Sequence, residues 1–131
     1  MGAMKFLLDT HAFLWWLFDD PRLSANARDI IADADNSILV SSASGWEIST
    51  KHRLGRLRVA SELVRDITGW VERARFEELP IRLAHAQRAG SWAQSHRDPF
   101  DRMLAAQCAL EEIPLVSRDP VFSAFGIRLI W

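Results

Sequence analysis

Short apolar runs alternate along this chain with longer stretches in which apolar residues recur at helical spacing. Met4 to Leu8, Ser37 to Ser41, Phe76 to Leu79, Pro114 to Ser117 and Ile127 to Ile130 read as strands. Between them, helices are predicted from Thr10 to Phe18, from a Ser24 cap through about Ala34, and from about Ala43 to Leu54 with Gly55 as the stop. Further helices are predicted over Ser61 to Arg75, Leu83 to Trp92, Asp98 to Glu112 and, briefly, Pro120 to Ala124. In the Ser61–Arg75 stretch, Leu63, Ile67, Trp70, Val71 and Ala74 fall on one face. The strands lack the period of two that marks one solvated face. The pattern therefore predicts an α/β fold whose central sheet is mainly parallel and covered on both faces. No repeat, low-complexity segment or linker interrupts it, so residues 4–131 read as one domain. Met1-Gly2-Ala3, ahead of Met4, reads as a scar of expression.

Composition narrows the chemistry. With 131 residues and 49% hydrophobic content, the chain can bury one core of ordinary size. Its net charge of −1 supplies no global field for a polyanion, so any such partner must be held by a local patch or through a metal. Fourteen Arg stand against two Lys, which suits bidentate phosphate contacts and equally suits a GC-rich genome. Cys108 is alone, which excludes a disulfide framework and a thiolate metal site; in LAAQCALEE it reads as a small buried hydrophobe. No apolar stretch approaches a membrane span, and no signal-peptide pattern precedes the first strand. The expected setting is the cytoplasm.

Five acids stand where strand-like runs meet helix-like runs: Asp9, Glu47, Asp98, Asp101 and Asp119. In a parallel sheet the carboxyl ends of the strands share one edge, where ligand sites collect. Asp9 ends the first strand, Glu47 lies a helical turn past the second, and Asp119 lies just past a later one. Asp98 and Asp101 share the first turn of a helix, and the sequence does not bring that turn to the same edge. Each acid also has a capping role available. Asp98-Pro99 and Asp119-Pro120 read as an N-cap followed by Pro, Ser44 to Glu47 matches a capping box, and Asp101 suits the helix dipole. Gathering carboxylates nonetheless costs repulsion and desolvation that a hard cation offsets. Oxygen donors without a convergent His or Cys set point to Mg²⁺ or Mn²⁺, and such a site suits phosphodiester hydrolysis.

The segments LLDTHAFLWW, SSASGWEISTKHRLGRL and HRDPFDRMLAAQCALEEIPLVSRDPVF together resemble the PIN domain, and within it the toxin ribonucleases of the VapC type. Only the middle, about Val59 to Ala93, is weakly diagnostic. The acids follow the family's order: Asp9, Glu47, Asp101, Asp119, with Asp98 the extra acid of the subgroup carrying RDPFDR. The resemblance implies a three-layer α/β/α sandwich and a Mg²⁺- or Mn²⁺-dependent endoribonuclease that acts as a toxin. It also implies a small cognate antitoxin and a homodimer. Asp9, Glu47, Asp101 and Asp119 carry over as catalytic and metal-holding acids, and Asp98 as a helper at the metal.

The hydroxyls of Thr10 and Ser117 can orient carboxylates or water, or make local turn bonds. Lys51, Arg53 and Arg56 belong to a basic stretch that is either a solvated helix end or a clamp on RNA phosphates. Arg97, Arg102 and Arg118 neighbour site acids and either pair with them or reach the substrate phosphate. His11 and His96 read as structural. Trp15 and Trp16 either stack bases or, the better reading, put at least one ring in the core while the pair contributes to a dimer or antitoxin surface. Two rivals remain. A haloacid-type phosphatase wants an Asp two residues after the first, where His11 stands. A non-catalytic acidic interaction module would use the acids only as caps.

Overall fold

The computed structural model describes residues 4–131, so the proposed scar at residues 1–3 lies outside the described residues. Five strands form one parallel sheet: β1 (Lys5–Leu8), β2 (Ser37–Ser41), β3 (Glu77–Leu79), β4 (Leu115–Val116) and β5 (Leu129–Ile130), in the order β3-β2-β1-β4-β5. The expected parallel sheet is borne out. Register aligns Leu7 with Leu39 and Leu115, and Leu8 with Val40 and Val116. Adjacent residues of each strand therefore enter different cores. Phe6, Leu8, Ile38, Val40 and Val116 pack on one face, while Leu7, Leu39 and Leu115 pack on the other. Burial on both faces is why the strands read as continuous apolar runs.

Helices α1 (Thr10–Leu17), α2 (Ala25–Ala32), α3 (Ser42–Arg53), α4 (Ser61–Arg65) and α5 (Ile67–Arg73) contribute to the first core. Helices α6 (Leu83–Ser91) and α7 (Pro99–Glu111), with a 3₁₀ turn over Pro120–Phe125, cover the second face. The result is a helix–sheet–helix sandwich. Gly55 takes φ +72° just past the end of α3, the left-handed stop its position predicts.

The predicted helix over Ser61 to Arg75 is two helices. At Asp66 the backbone leaves the helical region (φ −152°, ψ 62°), and its carboxylate accepts a hydrogen bond from the Gly69 N–H at 3.0 Å, capping α5. Apolar spacing continues across the break because Leu63 and Val71 still enter the same core. Periodicity therefore did not register it.

Chain direction fixes where function can sit. From β1 the strands run outward one way through β2 to β3, then the chain returns to the other side for β4 and β5. The order reverses between β1 and β4, and the crevice at the carboxyl ends of those strands is the switch point of the fold. Because α7 feeds directly into parallel β4, it runs back against the strands and begins at this same edge. That supplies the placement of Asp98 and Asp101 that the sequence left open.

Candidate active site

The five acids line one pocket of about 180 Å³, together with Thr10, His11, Lys51, Leu104 and Phe122. Asp9 is the N-cap of α1, and its Oδ1 accepts from the Ala12 N–H at 2.6 Å. Asp98 caps α7, accepting from Phe100 and Asp101 N–H groups at 2.9 and 3.2 Å. Asp119 caps the 3₁₀ turn through the Val121 N–H at 3.0 Å. These caps are real and engage one oxygen of each carboxylate.

Glu47 is different. The predicted capping box from Ser44 to Glu47 does not form, because Ser41 at the end of β2 is the N-cap and accepts from the Ala43 N–H at 2.9 Å. Ser44 and Glu47 therefore lie within α3, one turn apart on a face turned towards α1. Thr10 Oγ1 donates to Glu47 Oε1 at 2.6 Å and lies 2.9 Å from Ser44 Oγ, and the Lys51 ammonium pairs with Glu47 Oε2. Glu47 is only 5% exposed. The helix leaves its carboxylate no backbone donor, so its burial has no capping explanation.

Electrostatics express the crowding. Burial raises the pKa of Asp9, the nearby Asp101 charge raises it further, and the Ser117 side chain, the Ala12 N–H and His11 oppose the shift. Asp101 is also raised, first by burial and then by the charges of Asp98 and Glu47, against a 2.8 Å hydrogen bond with His96 Nε2. Burial alone would lower Lys51, but the Glu47 hydrogen bond and the charges of Glu47, Asp98 and Asp101 leave it raised. Five carboxylates thus share a small pocket with one lysine.

The donor set fits a hard divalent cation. It is made of carboxylates and hydroxyls with no thiolate, and its negative charge exceeds what Lys51 balances. Among the described residues, no three His, Cys, Asp or Glu side chains already stand as a ligand set. The bonds above account for this: Thr10 and Lys51 hold Glu47, His96 holds Asp101, and the helix starts hold the rest.

The remaining predicted residues separate clearly. Ser117 Oγ accepts from the Asp119 N–H at 3.1 Å and bears on Asp9, so it links two of the acids. Lys51 sits inside the acid pocket, on Glu47. Arg102 points elsewhere, donating to the carbonyls of Ala89, Trp92, Gln94 and His96 at 2.6–2.8 Å. Its donors are engaged in holding the α6–α7 connection. Arg56 lines a larger cavity of about 880 Å³ that begins at His11 and Trp15. Arg53 and Arg97 are exposed and line neither cavity. Trp15 is buried and Trp16 partly buried, both packed with the first core.

Ser44 enters the site as a partner of Thr10 rather than as the cap its position predicts, and Arg22 enters beside it from a segment with no site motif. Ser44 carries a signal in hindsight, one turn before Glu47 on the same face. Arg22 lines an adjoining cavity with Asp9, His11, Trp15, Arg118 and Asp119, and nothing in the DDPRL segment marks it for that place.

Comparison with known proteins bears on the family and the fold. The PIN domain family model matches residues 6–127. A 41-residue stretch is 54% identical to the Mycobacterium tuberculosis protein named Ribonuclease VapC16, covering 28% of this chain and 29% of that relative. The chain thus matches under a third of that relative's length. Among solved structures, VapBC2 from Rickettsia felis, bound to a promoter DNA fragment, superposes with a TM-score of 0.70 at 16% identity, covering 97% of this chain and 98% of that one. VapBC-1 from nontypeable Haemophilus influenzae gives 0.68 at 16% identity, covering 97% of both chains. At such identity the likeness is one of fold. With a family match spanning nearly the whole sequence, and the sheet order and acid edge described above, the chain belongs to the PIN domain family.

Proposed function

We propose that this chain is a Mg²⁺- or Mn²⁺-dependent endoribonuclease of the VapC type, the toxin of a toxin–antitoxin pair. The observation that carries the reading is the convergence of Asp9, Glu47, Asp98, Asp101 and Asp119 from four separate parts of the chain on one pocket at the switch point. Asp9, Glu47, Asp101 and Asp119 would hold the ion, with Asp98 assisting. When bound, the ion supplies a Lewis acid that polarises the scissile phosphate and makes a water nucleophilic at neutral pH. Thr10 and Ser44 keep Glu47 turned into the pocket, and Ser117 ties the end of β4 to Asp9 and Asp119. The water oxygen bonds to phosphorus as the bond to the 3′ oxygen breaks, giving a 3′-hydroxyl and a 5′-phosphate.

Residues 4–131 would form a single PIN-like domain, acting in the cytoplasm as a homodimer held in check by a small antitoxin. No helix among the described residues is long and apolar enough to cross a membrane. The solved structures it superposes on include the VapBC assemblies of Rickettsia felis and Haemophilus influenzae, which supports the antitoxin reading.

The test is cleavage of total RNA with the product ends mapped. Cleavage should require Mn²⁺ or Mg²⁺, stop with EDTA, return on adding metal, and vanish in Asp9→Asn. Full cleavage by Asp9→Asn in metal-replete buffer overturns the site. No cleavage of any RNA by the wild type, with the antitoxin bound normally, favours an interaction module instead.

A further inference from the structure

Beside the acid pocket lies a second cavity, of about 430 Å³, that shares Asp9, His11 and Asp119 with it and is otherwise walled chiefly by Trp15, Arg22 and Arg118. Trp15 is 7% exposed, edge-on to Trp131 at 5.9 Å between ring centroids and stacked with His11 at 5.5 Å. It is a rigid platform rather than a mobile surface ring. The guanidinium carbon of Arg118 stands 4.6 Å from the Trp15 ring centroid, and that of Arg22 stands 4.9 Å away. Stacking of this kind holds a planar guanidinium in place while leaving its N–H edge available.

The two arginines differ in how far they are already paired. Arg22 donates through Nε and Nη2 to Asp20, at 3.0 and 2.7 Å, which fixes its plane and partly neutralises it. Arg118 makes no hydrogen bond or ion pair among the described residues, although Asp119 follows it directly. A side chain meant to neutralise the acids would lie on Asp119 or Asp9. This one lies on an indole, at the wall of the adjoining cavity.

A phosphodiester strand gives this placement a purpose. One phosphate must enter the acid pocket to react, and its neighbours along the strand then lie beside a field of carboxylates that repels them. Cations next to the pocket, held apart from the acids, remove that penalty. Resting on the ribonuclease reading above, we propose that Arg118, supported by Arg22, binds the backbone phosphate adjacent to the scissile one and so sets the register of the RNA strand. Trp15 is the positioning residue for both guanidiniums.

The probe is a fluorescent single-stranded RNA of mixed sequence, titrated in EDTA against the Asp9→Asn protein with and without Arg118→Ala. Loss of one charged phosphate contact should weaken binding about tenfold. The slope of log affinity against log salt should fall by about 0.7, the contribution of one neutralised phosphate on a single strand. Arg118→Lys should recover the slope but only part of the affinity, since it keeps the charge and loses the stack. In the active enzyme, Arg118→Ala should raise KM more than it lowers kcat. An Arg118→Ala protein that matches its parent in affinity and slope overturns the proposal, as does one that loses only antitoxin binding. If the wild type cleaves no RNA with Mn²⁺ and the Asp9→Asn parent binds none, the ribonuclease reading itself has failed and the subsite falls with it. Normal cleavage with an unchanged Arg118→Ala titration rejects the subsite alone.

Discussion

Asp9 sits at the mouth of the β1–β4 crevice with its carboxylate against the start of α1, and burial holds its pKa above the usual 3.8. A raised acid pKa means that the folded state prefers the proton. The stability this group contributes is present below pH 3.8 and is lost as pH rises through its folded pKa. Above the usual 3.8, burial of this carboxyl therefore opposes folding when no cation is bound. Asp9→Asn keeps an oxygen for the Ala12 N–H and removes the charge, so in EDTA it should melt higher than the wild type at pH 7. The difference should close near pH 4. Thermal melts at the two pH values check this, and equal melting temperatures at pH 7 would contradict it. Capping accounts for one oxygen each of Asp9, Asp98 and Asp119 but leaves Glu47 unexplained. Among the five acids, Glu47, with its box unformed and its carboxylate buried against Thr10 and Lys51, has the clearest claim to chemistry.

At the scale of elements, the direction of α7 carries Asp98 and Asp101 to the site, and the connection from α6 sets where α7 begins. Arg102 holds that connection by four hydrogen bonds to backbone carbonyls. Several of these groups are partly solvated, so the full sum is not expected. Arg102→Ala should cost about 2–3 kcal/mol, at roughly 1 kcal/mol or less per bond. Arg102→Lys should restore little, because an ammonium cannot reproduce the planar fork. Urea denaturation measures the loss, and limited proteolysis should show faster cutting between Trp92 and Asp98. A variant as stable as the wild type would return Arg102 to the substrate-contact role its sequence position suggested. At the break between α4 and α5, Asp66 as a cap for Gly69 is a local feature, hidden by apolar spacing that continues through it.

The whole molecule is built around the reversal of strand order between β1 and β4, which leaves a crevice flanked by Asp9 on one side and Asp119 on the other. On the proposed reading, an ion held there by groups at the ends of β1 and β4, on α3 and at the start of α7 would tie together segments separated along the chain. Binding to the folded state alone stabilises it by mass action, by about 2.7 kcal/mol at a hundred times the dissociation constant. Saturating Mn²⁺ should therefore raise the melting temperature of the wild type and leave that of Asp9→Asn nearly unchanged. Differential scanning fluorimetry with and without Mn²⁺ tests this, and an equal rise in both proteins would place the ion elsewhere.

The apolar runs determined the strands, their burial on both faces and their parallel arrangement, because a strand covered by helices on each side has no polar face to display. Asp9, Glu47, Asp98, Asp101 and Asp119 were legible as acids at strand–helix junctions for the same local reason. What local sequence did not decide was their company. Whether Glu47 closes a capping box or turns to Thr10, whether Arg102 faces substrate or backbone, and whether Arg22 and Arg118 share one indole are questions about residues far apart in the chain. Packing answers them, since a buried charge or a stacked guanidinium takes its meaning from neighbours that only the folded chain supplies.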